Sequence, residues 1–154
     1  YGINLEVSYK NLSLRVLANG VYGNDIANGN LLQLATPEGI SWSNITTAAY
    51  NNAWRPERTS NSYPRIGYTT NGQIAMPDWI IEDGSFLRIS NINLSYQFDR
   101  INIYLSAQNL FTFTGYSGYN PEVTSFLYDG LRNGVDWNGQ PSARKFTIGL
   151  NFNL

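Results

Sequence analysis

The sequence predicts an all-β fold: a set of strands from a transmembrane antiparallel β-barrel. Three observations predict it. Five segments alternate apolar and polar side chains with period 2. The polar rows of those segments are built mostly from Asn, Ser, Thr, Gly and Gln rather than from charged residues. Tight turns alternate with connections far longer than compact soluble domains use.

The first segment spans about residues 1–10. Tyr1, Ile3, Leu5, Val7 and Tyr9 fall on one face, and Gly2, Asn4, Glu6, Ser8 and Lys10 on the other. After a Lys10-Asn11 turn the second, about 12–23, sets Leu12, Leu14, Val16 and Ala18 against Ser13, Arg15 and Asn19, with Leu17 breaking the polar row. The third, about 85–98, changes phase near Ser90. Leu87 and Ile89 are apolar before it, and Ile92, Leu94, Tyr96 and Phe98 after it. Either a β-bulge at Ser90 or a strand leaving the membrane there accounts for the change. An Asp99-Arg100 turn leads to the fourth, about 101–113, with Ile101, Ile103, Leu105 and Ala107 opposite Asn102, Tyr104, Ser106 and Gln108. The fifth, about 144–154, alternates Phe146, Ile148, Leu150, Phe152 and Leu154 with Lys145, Thr147, Gly149, Asn151 and Asn153. The two long connections, about 24–84 and 115–143, are expected to be loops, with Ile80-Ile81 an apolar loop segment near the barrel mouth. Tyr and Phe near the strand ends fit interfacial aromatic girdles.

Composition narrows the function classes. Charged residues make up 14% of the 154 residues, well under the usual share for soluble domains, while aromatics reach 14%. No apolar run approaches the roughly 20 residues of a membrane helix. A net charge of −1 leaves no basic footprint for nucleic acid. With no Cys, disulfides and thiolate metal sites are excluded; with no His, the commonest general base and metal ligand are missing. The Asp129–Asp136 stretch lacks EF-hand spacing, and no carboxylate pair is placed for glycoside hydrolysis, so neither metal nor cofactor nor catalysis is expected. Asn-x-Ser/Thr sequons at Asn11, Asn44 and Asn93 are short enough to arise by chance.

Five strands do not close by themselves. In lipid each backbone N–H and C=O needs a partner within the protein, and the smallest such barrels have about eight strands. The first strand therefore needs an upstream neighbour and the last must meet the barrel's first strand. Tyr1 already opens an alternating strand, so the start is expected to be a cut within a longer polypeptide.

Several segments resemble the C-terminal part of the SusC/RagA family of TonB-linked outer-membrane transporters. Tyr22-Gly23-Asn24-Asp25-Ile26-Ala27-Asn28 is similar to its Gly-Asn-Asp-Ile-x-Asn segment, and Trp54-Arg55-Pro56-Glu57 to a loop element. Ile81 to Ile92 is similar to its acidic-Gly-Ser-Phe-Leu-Arg strand start. Gln108-Asn109-Leu110-Phe111-Thr112 with Gly115 to Glu122 resembles the penultimate strand and following loop, and Arg144 to Leu154 the closing strand, although an aromatic often ends such barrels where Leu154 stands.

The resemblance implies a barrel of about 22 strands with an N-terminal plug, of which this chain holds roughly the last five strands. It implies import of oligosaccharides or peptides with a SusD-like surface lipoprotein as cap, and energy from TonB through the absent N-terminal part. It also implies an outer-membrane location, a periplasmic C-terminus, periplasmic turns at Lys10-Asn11 and Asp99-Arg100, and both long loops extracellular. Aromatic faces stack on sugar rings while Asp, Asn and Arg bond hydroxyls. Trp54, Tyr119, Asp129, Arg132 and Trp137 are therefore the expected loop contacts to ligand or cap; the competing reading has such aromatics packing loops together. Two other classes stay open: a soluble carbohydrate-binding β-sandwich module, which would bury its apolar rows under a second sheet, and a passive porin or adhesin barrel, which would lack a plug.

Overall fold

The computed structural model describes residues 1–35, 44–60, 62–66, 77–122 and 133–152. In chain order the elements are β1 (Gly2–Tyr9), β2 (Leu12–Val21), β3 (Asp25–Asn28), α1 (Gly29–Ala35) and α2 (Thr47–Asn52). A 3₁₀ turn (Asp78–Ile80), β4 (Ile81–Asp83), β5 (Phe86–Phe98), β6 (Ile101–Thr114), β7 (Val135–Asp136) and β8 (Lys145–Phe152) follow. They form two compact units. The first comprises residues 1–24, 84–115 and 141–154, the second residues 25–83 and 116–140.

The first unit is one five-stranded sheet in the order β1-β2-β5-β6-β8, antiparallel throughout. Its register lines the apolar residues up on one face. Leu5 lies opposite Val16, Val16 opposite Ile92, Ile92 opposite Ala107, and Ala107 opposite Phe146. Along the paired positions this face is apolar, aromatic or glycine throughout. No second sheet covers it among the described residues: Phe146, Ile148, Leu150 and Phe152 of β8 are 66%, 77%, 57% and 65% exposed. The other face carries amides and hydroxyls. Asn102 lies opposite Asn151 and Ser106 opposite Thr147, and Glu6 and Arg15 form an ion pair at 2.8 Å across β1 and β2. Leu17 stays on this face, opposite Asn4 and Asn91.

The phase change near Ser90 is a bulge. Leu17 pairs with Asn91 and the next residue, Ala18, with Ile89, so Ser90 is the extra residue in β5. Between β5 and β6 the register shifts again at the same level. The Ser90 hydroxyl donates to Asn19 Oδ1, and on β6 Asn109 takes a left-handed φ of 52°. The bulge keeps Leu87 and Ile89 on the apolar face, which a strictly alternating strand would not do. On the polar face Gly149 lies under Tyr104, and a Cβ there would come within 2.3 Å of the Tyr104 ring, so the glycine makes room for the phenol.

The second unit corrects the expectation of plain loops. β3 is the centre of a small sheet, antiparallel to β4 and parallel to β7. Asn28 ends β3 and caps α1, accepting from Leu31 N at 3.0 Å; Thr46 caps α2, accepting from Ala49 N at 3.1 Å. The Ile80-Ile81 stretch is ordered secondary structure: Ile80 is buried at the end of the 3₁₀ turn, and Ile81 pairs with Ala27. Ile26, Ile80, Ala49 and Ala53 form its apolar core. Period-2 reading missed these elements because strands of two to four residues are too short to show a period.

Candidate functional site

At the end of the first sheet from which the long excursions leave, the residues of the acidic-Gly-Ser-Phe-Leu-Arg segment frame the start of β5. Gly23 N donates to Ser85 Oγ at 2.9 Å, and Thr114 Oγ1 donates to Ser85 O at 2.8 Å. Arg88 is buried on the polar face. Its Nε donates to Thr112 Oγ1 at 3.0 Å, and its guanidinium lies 5.5 Å from the centroid of the Phe86 ring. Burying a guanidinium is costly unless it is bonded, and the bond to Thr112 ties β5 to β6 at this end of the sheet.

Within the second unit, four stretches far apart in sequence meet at one polar node. Asn28 Nδ2 donates to Glu82 Oε1 at 2.8 Å and to Ser117 Oγ at 3.1 Å. Ser117 then gives both its donors to the same carboxylate: its N–H to Oε2 and its hydroxyl to Oε1, each at 2.8 Å. Beside it, the Tyr116 hydroxyl donates to Asp136 Oδ2 at 2.7 Å and Gly139 N donates to Asp136 Oδ1 at 3.0 Å. Asp136 is 1% exposed, so its charge depends on these donors. Burial first, then the hydrogen bond to Asp136 and the charges of Asp136 and Glu82, push the Tyr116 phenol far above its ordinary value. It is a proton donor at any physiological pH.

The node ties strands together: both Glu82 oxygens and both Asp136 oxygens accept hydrogen bonds from other stretches of the unit. No group of three or more Asp or Glu residues is placed to hold a metal among the described residues. From sequence, Asn28 and Ser117 stand only within motifs, Tyr116 counts among the loop aromatics and Glu82 among the loop carboxylates, and no contact among the four is foreseen. The available signal was Asn28 directly before Gly29, an N-cap pattern; nothing in the sequence says that Glu82 is its partner 54 positions on.

Of the expected ligand or cap contacts, Trp54, Tyr119 and Trp137 are described, while Asp129 and Arg132 lie outside the described residues. Trp54 follows α2 and is half-buried, its backbone N–H donating to Tyr63 O at 3.3 Å. Trp137 follows β7 and packs on Gly29, where a Cβ would fall 2.2 Å from its ring. Tyr119 is 75% exposed. No hydrogen bond or ring contact joins Trp54 or Tyr119 to each other or to Trp137 among the described residues. Tyr50, another of the loop aromatics, is exposed, with the Arg55 guanidinium 4.8 Å from its ring centroid.

No protein-family model matches the chain. TonB-dependent receptor P3 of Formosa agariphila is 30% identical over 164 residues, a match covering 97% of this chain and 16% of that receptor. TonB-dependent receptor SusC of Bacteroides thetaiotaomicron is also 30% identical over 164 residues, covering 97% of this chain and 14% of SusC. The structure superposes on the RagAB peptide importer in its open-open state with a TM-score of 0.77 and 24% identity, over 97% of this chain and 16% of that one. The chain thus spans about a sixth of the first of these relatives, as its 16% coverage states. Together with the uncovered apolar sheet face, these likenesses show a section of a transmembrane β-barrel wall that is similar, over 97% of its length, to part of TonB-dependent receptors such as P3 and SusC.

Proposed function

We propose that this chain is part of an outer-membrane importer that takes up nutrient oligomers, glycan or peptide, under a SusD-like surface lipoprotein and with energy from TonB. The observation that carries the reading is the five-stranded sheet: one face is apolar along its paired positions, with its β8 row and most of its β1 and β6 residues exposed and the rest largely half-buried, while the opposite face is amide-rich. That is the division expected of a wall between acyl chains and a watery lumen. A soluble carbohydrate-binding sandwich would bury the β8 row under a second sheet, and none lies there among the described residues.

In this reading the Lys10-Asn11 and Asp99-Arg100 turns and the C-terminus are periplasmic, and the segments around β3, α1, α2 and β7 are extracellular. Remaining strands and a plug come from the rest of the same transporter. Trp54, Tyr119, Asp129, Arg132 and Trp137 stay the proposed contacts to ligand or cap, with Tyr119 the most accessible of those described.

The test uses the whole receptor carrying this segment. It should fractionate with outer membranes, co-purify with a lipoprotein, and be required for growth on a glycan or peptide pool as sole nutrient. Alanine at Tyr119 or Trp54 should lower uptake or cap affinity several-fold. A receptor whose deletion leaves uptake of every such pool unchanged, or which is soluble without detergent, overturns the proposal.

A further inference from the structure

At the end of the sheet away from the Lys10-Asn11 turn, the apolar face has a charged residue beside it, Arg144. Arg144 stands one position before β8, and its parity with Phe146, Ile148 and Leu150 puts it on the same side. The ring contact agrees: its guanidinium lies 6.0 Å from the centroid of Phe111, which pairs with Ile89 on the apolar face. Phe111 in turn stacks with Phe113 at 6.4 Å and 29°. The backbone beside the arginine is held, because Asn109 Nδ2 donates to Ala143 O at 3.2 Å. No carboxylate pairs with Arg144 among the described residues.

We propose that Arg144, with Phe111, Phe113 and Phe146, binds the phosphate-bearing headgroup of an anionic lipid in the leaflet on the loop side of the barrel. This rests on the reading that the apolar face meets the bilayer. A cation on a lipid-facing barrel surface costs about 2–4 kcal/mol at mid-depth and close to nothing at the interface, so Arg144 marks the headgroup level. A guanidinium there, desolvated on one side by Phe111, retains a fork of donors that matches phosphate oxygens. Phe113 and the exposed Phe146 supply apolar surface for the first acyl methylenes, which a free phosphate has no use for. Arginine therefore selects the charge and the phenylalanines select the lipid.

The test is native mass spectrometry of the whole receptor released from nanodiscs holding equal amounts of phosphatidylglycerol and phosphatidylcholine with identical chains. The wild type should retain phosphatidylglycerol preferentially. Arg144→Gln should lose about fivefold of that excess, the factor for one basic residue near an anionic surface, and Arg144→Lys should keep part of it. Millimolar inorganic phosphate should not displace the lipid; displacement would mean that the site reads a free anion. Equal retention by wild type and Arg144→Gln overturns the proposal. So does an Arg144→Gln receptor destabilised to the same extent in purely neutral lipid, which would assign the arginine a protein partner on an adjoining strand. Both failures leave the membrane reading standing, because each requires a receptor that has inserted. A receptor that stays folded in buffer without lipid is the outcome that removes the membrane reading itself.

Discussion

The two units of this chain are held in opposite ways. In the sheet of β1, β2, β5, β6 and β8, order comes from repetition: strands meet their neighbours in long registered runs, broken at the Ser90 bulge, and each face keeps one predominant chemical character. In the unit around β3, order comes from single contacts between distant residues, such as Asn28 with Glu82 and Tyr116 with Asp136. A repeated pattern tolerates the loss of one member so long as its character is kept. A set of unique contacts tolerates changes of character on its surface but not the loss of a partner. Substitutions should therefore sort by polarity in the first unit and by hydrogen-bond capacity in the second.

The largest effect should follow from putting a charge on the apolar face. Ile148→Arg, near the middle of the exposed β8 row, should destabilise the membrane-embedded receptor by about 2–4 kcal/mol, whereas Thr147→Arg, one residue earlier and on the amide-rich face, should change it by less than about 1 kcal/mol. The midpoint of guanidinium unfolding from lipid vesicles measures both. Equal effects from the two neighbours would show that the faces do not differ in environment, and the division between the units would lose its basis.

Next in size is Glu82→Ala. It removes one of the two acceptors of the Asn28 amide and the shared acceptor of both Ser117 donors, at about 2 kcal/mol of local stability. Hydrogen exchange at the β3 amides should quicken by about thirtyfold, with β5 and β6 unchanged. A smaller loss, about 1 kcal/mol, is expected for Tyr116→Phe, which keeps the ring and removes one donor from buried Asp136. This pair also carries a pH dependence. The fold holds the phenolic proton more tightly than the unfolded chain does, because the phenol's ionisation is raised by burial and then by Asp136. That contribution is complete below the ordinary tyrosine value near 10 and declines as pH rises beyond it. Limited proteolysis of the second unit between pH 8 and 11 should show the gap between wild type and Tyr116→Phe narrowing above about pH 10.

The same contrast decides what can be read from sequence. The sheet was legible because alternation is written residue by residue. Even the bulge at Ser90 left a trace, as a phase change between Ile89 and Ile92 that the register accounts for. The second unit was illegible because its strands are too short for a period and its stability comes from partners such as Asn28 and Ser117, 89 positions apart. Trp137 illustrates the difference for the site. As a loop tryptophan it reads as a ligand platform, yet the structure sets part of its ring against Gly29, a contact that sequence spacing cannot foresee.

The two tight turns of the sheet give the finest comparison. Lys10 and Asp99 both take left-handed conformations, with φ of 54° and 49°. Aspartate tolerates that region, since its short side chain bonds locally, whereas a lysine Cβ meets the following carbonyl. Lys10 gains a partial offset from its ammonium, 5.4 Å from the Tyr9 ring centroid. Lys10→Asn should therefore stabilise the β1–β2 hairpin by a few tenths to about 1 kcal/mol, and Asp99→Lys should destabilise the β5–β6 hairpin by a similar amount. Hydrogen exchange at Leu12 N and Ile101 N reports each turn separately. If the two changes move exchange in the same direction, turn conformation does not limit either hairpin, and the strands' register alone holds them closed.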